Sequence, residues 1–84
     1  MTLTSGAAVA AQPESAPALV QMGFVQAKQG RIQEAQATYR RALALDPRSA
    51  EAHAYLGSSL AAQGQWDEAI SHFDQSLANR PDNA

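Results

Sequence analysis

The stretch APALVQMGFVQAKQGRIQEAQATYRRALALDPRS, residues 16–49, is followed directly by AEAHAYLGSSLAAQGQWDEAISHFDQSLANRPDN, residues 50–83. A shift of 34 positions places the first stretch on the second. The shift pairs identical residues that are spread over both copies: Gly23 with Gly57, Gly30 with Gly64, Glu34-Ala35 with Glu68-Ala69, Leu43-Ala44 with Leu77-Ala78 and Pro47 with Pro81. A fixed period between about 20 and 50 residues is typical of repeat proteins, and this period decides the fold prediction.

Composition limits the function classes of this 84-residue chain. It has no cysteine, which excludes a disulfide framework and cysteine metal sites. Its six Lys and Arg residues are interleaved with eight Asp and Glu residues, for a formal charge of −2. Without a basic stripe, nucleic acid is not an expected partner. No apolar run approaches the roughly 18–20 residues of a membrane span, so no membrane is expected as a partner either.

The N-terminal segment, residues 1–15, is predicted to be a frayed or weakly helical tail. Ala8-Val9-Ala10 resembles an export cleavage site, which leaves a periplasmic location open. The first four residues carry no charge, however, whereas a signal peptide needs a positively charged start. We therefore expect a cytoplasmic protein.

Hydrophobic periodicity and helix-end residues predict four helices, near 17–29, 32–45, 51–63 and 66–79, in two antiparallel pairs. Ser15 and Ser49 are expected as N-caps, because a serine hydroxyl accepts hydrogen bonds from first-turn amides. Gly30 and Gly64 are expected to end the first helix of each pair in the left-handed conformation.

The pattern also predicts how the helices pack. Gly23 and Gly57 lie inside helices, where glycine is costly unless a neighbouring helix approaches closely. Tyr39 and Phe73 are expected to fill the space between pairs. Inward-facing residues are predicted on the last two helices: His53, Leu56 and Leu60 on the first of them, and Ala69, Phe73, Ser76 and Leu77 on the second. Trp66 is expected to be a packing residue at a helix start.

No catalytic constellation is recognisable, and we predict that the chain is not an enzyme. His53 and His72 fall on different predicted helices, with no carboxylate or cysteine at ligand spacing, so no metal site is expected. Ser58-Ser59 lacks a base nearby in sequence, and there is no glycine-rich phosphate loop. No cofactor is therefore expected.

The repeat resembles the tetratricopeptide repeat family, whose pattern runs aromatic-x2-Leu-Gly-x2-Tyr, Ala-x3-Phe and Pro. The second copy reads His53-x2-Leu56-Gly57-x2-Leu60, then Ala69-x3-Phe73, then Pro81. The sequence departs from the pattern at the aromatic position, which is taken by His53 and Leu19, and at the tyrosine position, which is taken by Gln26. The first copy keeps Gly23, Ala35, Tyr39 and Pro47. The resemblance implies an all-α fold, an α-solenoid of two helix-turn-helix repeats over 16–49 and 50–83 with right-handed superhelical stacking.

The resemblance also implies a binding surface, because the first helix of each pair lines a concave groove in this family. The family's groove positions fall on nine residues: Val20, Phe24, Ala27, Lys28, Ala54, Tyr55, Ser58, Ala61 and Ala62. A clamp for a peptide carboxylate, well known in the family, is not expected, since Lys28 is the one cation in this set. Phe24 and Tyr55 instead favour a hydrophobic peptide or an amphipathic helix.

Several alternatives remain open from sequence. In one alternative, Phe24 does not contact a ligand but packs under residues 1–15. Solenoids normally need about three repeats, so the chain is either a fragment of a longer protein or covers Ile70 and Leu77 by self-association. The candidate functions are thus a protein-interaction module, an N-terminal docking or regulatory domain of a larger protein, and a self-association module.

Overall fold

In the computed structural model, residues 15–80 are described, and they form four helices with no strand among them. The helices are α1 (Ala16–Lys28), α2 (Ile32–Leu45), α3 (Ala50–Ala62) and α4 (Trp66–Ala78). Each predicted helix boundary is confirmed to within one residue. The predicted tail over 1–15 lies outside the described residues except for Ser15, and so does Pro81. The repeat limits at 16–49 and 50–83 stay a prediction.

The helix ends follow from local chemistry. The hydroxyl of Ser15 accepts a hydrogen bond from the Ala18 amide at 3.1 Å, and that of Ser49 accepts one from Ala52 at 3.2 Å. Both predicted N-caps are therefore confirmed. No serine, threonine, aspartate or asparagine immediately precedes α2 or α4, and neither helix has a side-chain cap.

The turns that follow α1 and α3 have the same geometry. Gly30 has φ 83° and Gly64 has φ 80°, which confirms the predicted left-handed conformation. After α1, the Gly30 amide donates to Ala27 at 3.0 Å and the Arg31 amide donates to Gln26 at 2.9 Å. The turn after α3 repeats both bonds at 2.9 Å. This pair of hydrogen bonds is the Schellman motif, and it sets the angle at which the second helix of each pair returns.

The two helices of each pair touch at the predicted interior glycines. A Cβ built on Gly23 would lie 2.5 Å from Cε1 of Tyr39, and one on Gly57 would lie 3.0 Å from Cε1 of Phe73. The predicted close approach is therefore confirmed in both pairs. The aromatic ring of the second helix occupies the space that a side chain of the first would take.

Within residues 15–80, two apolar clusters form the core. One joins α1 to the second pair through Ala16, Leu19, Val20, Ala42 and Ala52. The other spans α2, α3 and α4 through Ala35, Tyr39, Leu56, Leu60 and Ala69. Because both clusters contain residues of both repeats, the pairs share one continuous stack, as expected for an α-solenoid. The exposed ion pair between Arg40 and Glu68, at 3.1 Å, adds little to this packing.

Two packing predictions for α4 are wrong. Trp66 is 62% exposed rather than a packing residue, and Leu77 is 56% exposed rather than on the inner face. The inward side of α4 is instead formed by Ala69 and Ser76, which are buried, and by the partly buried Phe73. The side with Trp66 points away from α3. No helix within residues 15–80 has both the length and the apolar character to cross a membrane.

Candidate functional site

Three aromatic rings meet where the two repeats adjoin. Phe24 of α1 lies 5.6 Å from Tyr55 of α3, measured between ring centroids, with the rings tilted by 50°. Tyr55 in turn stacks on Tyr39 of α2 at 5.7 Å and 16°. Such separations fall within the range of favourable aromatic pairs. The rings therefore form a continuous wall contributed by three helices.

This wall borders a cavity of about 230 Å³, which we call the aromatic cavity. Its lining is largely apolar and comes from α1, α2 and α3: Phe24, Ala27, Ile32, Tyr39, Tyr55, Ser58, Ser59 and Ala62. None of these side chains is charged, and the hydroxyls of Ser58, Ser59 and the tyrosines are the polar groups of the lining. The surface can therefore bind an apolar group and offer it a few hydrogen bonds.

Phe24 and Tyr55 are the accessible members of the wall. Phe24 is 39% exposed and Tyr55 is 38% exposed, whereas Tyr39 is only 2% exposed. Burial, together with a smaller effect of Tyr55, raises the pKa of the Tyr39 phenol above its ordinary value of 10.0. Tyr39 is thus a neutral, fixed surface behind two rings that a ligand can reach.

Lys28 supplies a positive charge at the edge of the aromatic cavity. Its Nζ atom lies 5.3 Å from the centroid of the Phe24 ring, within reach of a cation–π interaction. Lys28 is exposed, so its ammonium group remains hydrated beside the Phe24 ring.

The structure brings together five of the nine residues predicted for the groove. Phe24, Ala27, Tyr55, Ser58 and Ala62 all line the aromatic cavity. Lys28 lies beside it, through its contact with Phe24.

The other three predicted residues lie elsewhere. Val20 is 2% exposed and belongs to the core, so its prediction as an accessible groove residue is wrong. It packs with Leu19, Ala42 and Ala52, so residues of both α2 and α3 cover this side of α1. Ala61 is half-buried against the second core cluster. Ala54 lines a different cavity.

That second cavity, of about 300 Å³, lies at the start of α3 and the end of α4. Its lining is small or charged: Ala50, Glu51, Ala54, Ser76 and Arg80. It contains no large apolar or aromatic side chain, and such anchors dominate the energetics of protein recognition. The aromatic cavity is the better candidate for this reason, although it is the smaller of the two.

Sequence reasoning missed three residues of the aromatic cavity, Ile32, Tyr39 and Ser59. Ile32 and Tyr39 are seven positions apart on α2, so they share one side of that helix. The signal was present in this spacing, but the groove prediction considered only α1 and α3. Ser59 is the third missed residue. Its hydroxyl accepts a hydrogen bond from Gln36 of α2 at 2.9 Å, and a contact between two helices cannot be predicted from the position of Ser59 in the sequence.

The two histidines form a pair between α3 and α4. His53 Nε2 lies 2.8 Å from the carbonyl oxygen of Pro47, which can only accept, so this nitrogen carries the hydrogen. His53 Nδ1 is then the acceptor for the N–H of His72 Nδ1, 3.0 Å away. We assign the tautomers from this network. His72 Nε2 lies 3.7 Å from Glu68 Oε2, a carboxylate neighbour that was not expected from the sequence.

Within residues 15–80, no group of three or more His, Cys, Asp and Glu side chains is arranged to hold a metal ion. Every buried side-chain nitrogen and oxygen atom in that range has a hydrogen-bond partner. The buried polar groups of residues 15–80 are therefore satisfied within the chain.

Comparison with known protein families identifies the family to which this helical repeat belongs. A sequence model described as Tetratricopeptide repeat matches residues 14–84, which is most of the chain. The chain belongs to the tetratricopeptide repeat family. Tetratricopeptide repeats are generally protein–protein interaction modules and typically non-catalytic scaffolds, so the expected class of partner is protein. A comparison with curated protein sequences found no match to this tetratricopeptide chain.

Proposed function

We propose that this tetratricopeptide chain binds a segment of a partner protein by seating one apolar side chain in the aromatic cavity. The observation that carries the proposal is the pair of accessible rings, Phe24 and Tyr55, over an uncharged lining. Aromatic anchors of this kind contribute most of the energy at protein interfaces. The partner segment is a hydrophobic peptide or an amphipathic helix.

The size of the aromatic cavity supports a side chain rather than a small-molecule ligand. Its volume of about 230 Å³ is below the range of about 300–1,000 Å³ that is usual for small-molecule and cofactor sites. A single Leu, Ile, Met or Phe side chain suits this space. The rest of the partner segment would then lie along the exposed surfaces of α1 and α3.

Charge at the cavity favours a partner with an acidic group beside its anchor. Lys28 contacts Phe24 at the edge of the cavity, and none of the lining residues named above carries a charge that could pair with it. A single exposed lysine adds on the order of 1 kcal/mol or less, so the apolar anchor remains the main determinant. A multi-residue carboxylate clamp is not supported, because the cavity lining lacks further cationic groups.

The proposal is tested by selecting ligands from a phage-displayed library of random peptides and measuring their affinity by fluorescence anisotropy. We expect the selected peptides to share one large apolar residue. Ser58→Leu, which fills the aromatic cavity, should weaken their binding at least tenfold, about 1.4 kcal/mol. The matched control Ser71→Leu makes the same change on an exposed position of α4 and should leave affinity unchanged.

Two results would contradict the proposal. One is a set of selected peptides with no shared apolar residue. The other is equal binding by the wild-type chain and the Ser58→Leu variant, provided that circular dichroism shows both to be folded.

A further inference from the structure

The outer side of α4 presents large apolar residues to solvent. Trp66 is 62% exposed and Ile70, one turn later on the same side of the helix, is 55% exposed. These residues lie outside the lining of the aromatic cavity, so a role for them is independent of the proposed peptide site.

The repeat register identifies the counterpart of this side of α4. Moving back 34 positions from Trp66 and Ile70 gives Ile32 and Gln36 of α2. In α2 this is the side that packs against α3. The Gln36 amide donates to Ser59 at 2.9 Å and to Gln63 at 3.0 Å, and Tyr39 stacks on Tyr55. The outer side of α4 is therefore a second copy of an interface-forming surface.

The outer side of α1 corresponds to the other half of the same interface. Met22 is 42% exposed and Val25 is 51% exposed. Their equivalents 34 positions later are Leu56, which is fully buried, and Ser59, which contacts Gln36. The chain thus presents on α1 the surface that would receive α4, and on α4 the surface that would enter it.

We infer that a second copy of this chain binds head to tail, with α4 of one copy packed on α1 of the next as α2 packs on α3. The pairing of residue types is what selects a second copy. Inside the chain, the polar Gln36 meets the polar Ser59 at 2.9 Å. At the corresponding contact between copies, Ile70 takes the place of Gln36, and Val25 of the second copy takes the place of Ser59. A polar pair inside the chain thus corresponds to an apolar pair between copies.

Charges modulate this contact. The internal ion pair of Arg40 with Glu68, at 3.1 Å, corresponds between copies to Asp74 and Glu34, which repel each other. Glu34 already lies 3.5 Å from Arg31 of its own chain, which moderates the repulsion. Salt screens exposed charges, whereas it does not weaken apolar burial. Association should therefore strengthen as the salt concentration rises.

Head-to-tail contacts use two different surfaces and need not close, so they produce open chains rather than a fixed dimer. In sedimentation velocity, the full chain should show an average mass that keeps rising with concentration past the dimer. Val25→Glu and Ile70→Glu each place a charge on one of the two surfaces, and each variant alone should be monomeric. Ser71→Glu, with the same charge at an adjacent exposed position, should associate as the wild-type chain does.

Mixing the variants gives the decisive measurement. Val25→Glu keeps an intact α4 surface and Ile70→Glu keeps an intact α1 surface, so an equimolar mixture should form a one-to-one heterodimer and nothing larger. Circular dichroism of each variant confirms that helix content is retained. A wild-type chain that stays monomeric at millimolar concentration, a mixture that stays monomeric, or either variant forming a homodimer would overturn the inference.

Discussion

At Gly23 the main chain of α1 lies against the ring of Tyr39, and there is no room for a methyl group. A Cβ at this position would be 2.5 Å from Cε1 and 2.8 Å from Cδ1 of a ring that is only 2% exposed. We expect Gly23→Ala to lower the free energy of unfolding by about 1–3 kcal/mol, because overpacking outweighs alanine's helix preference of about 1 kcal/mol. Urea denaturation followed by circular dichroism measures this change.

The control for this substitution is Ser71→Ala. Ser71 is exposed in the middle of α4, so alanine there gains helix preference without meeting a neighbour. Its unfolding free energy should be equal to or slightly above that of the wild-type chain. If Gly23→Ala were as stable as the wild type, Tyr39 would be free to move and the close contact would not be a constraint.

His72 makes the stability of the second repeat sensitive to pH. Burial, and then the neighbouring His53, lowers the pKa of His72 below its ordinary value of 6.5; Glu68 acts in the opposite direction and Arg40 in the same one. The unfolded chain therefore binds a proton more readily than the folded chain. The stability contribution is fully present above the unfolded pKa of 6.5 and is lost as the pH falls through the lower folded pKa.

We expect the free energy of unfolding to decrease as the pH falls from about 7 through and below 6.5, and His72→Gln to reduce this slope. Glutamine can still donate a hydrogen bond toward His53 but does not titrate. Carboxyl groups titrate mainly below about pH 5 and do so in both chains, so they do not account for a difference between the two slopes. Parallel pH profiles for the two chains would show that His72 is not the responsible group.

At the level of the helices, the sequence predicted best what depends on neighbouring residues in the chain. Ser49 caps α3 and Gly64 ends it because both act within one helical turn, and such signals can be read directly. The predicted close contacts at Gly23 and Gly57 were also correct. Glycine occurs at the same position of both 34-residue repeats, and this recurrence indicated that a neighbouring helix approaches closely there.

The errors concern residues whose environment depends on which helix lies next to them. Val20 and Trp66 occupy ordinary helical positions, and nothing local shows that the first is buried against α2 and α3 while the second is 62% exposed. Of the eight residues that line the aromatic cavity, five were predicted. Phe24 and Tyr55 were predicted from their positions in the first helix of each repeat, whereas Ile32 lies on α2, where no groove residue was predicted.

For the molecule as a whole, Leu56 connects the two repeats. It is fully buried in the cluster that contains residues of α2, α3 and α4. We expect Leu56→Ala to lower the free energy of unfolding by about 2–5 kcal/mol, a large part of the usual total of about 5–15 kcal/mol. Because the repeats share this cluster, hydrogen exchange should show similar losses of protection in α1 and α4.

The matched control is Leu45→Ala, the same truncation at a position that is 51% exposed. It should change stability by about 0.5 kcal/mol or less. A loss of protection in α3 and α4 alone after Leu56→Ala would mean that the repeats unfold independently.

Tyr39 carries a further consequence, because one ring serves three neighbours: the backbone at Gly23, the stacked ring of Tyr55 and the space of the aromatic cavity. A change at Tyr39 made to alter ligand preference would also loosen the fold. In a directed-evolution experiment for new peptide specificity, accepted changes should therefore accumulate at the accessible positions Phe24, Ser58 and Ala62. Tyr39 should stay fixed, and the range of specificities open to this scaffold is bounded by the shape of that one ring.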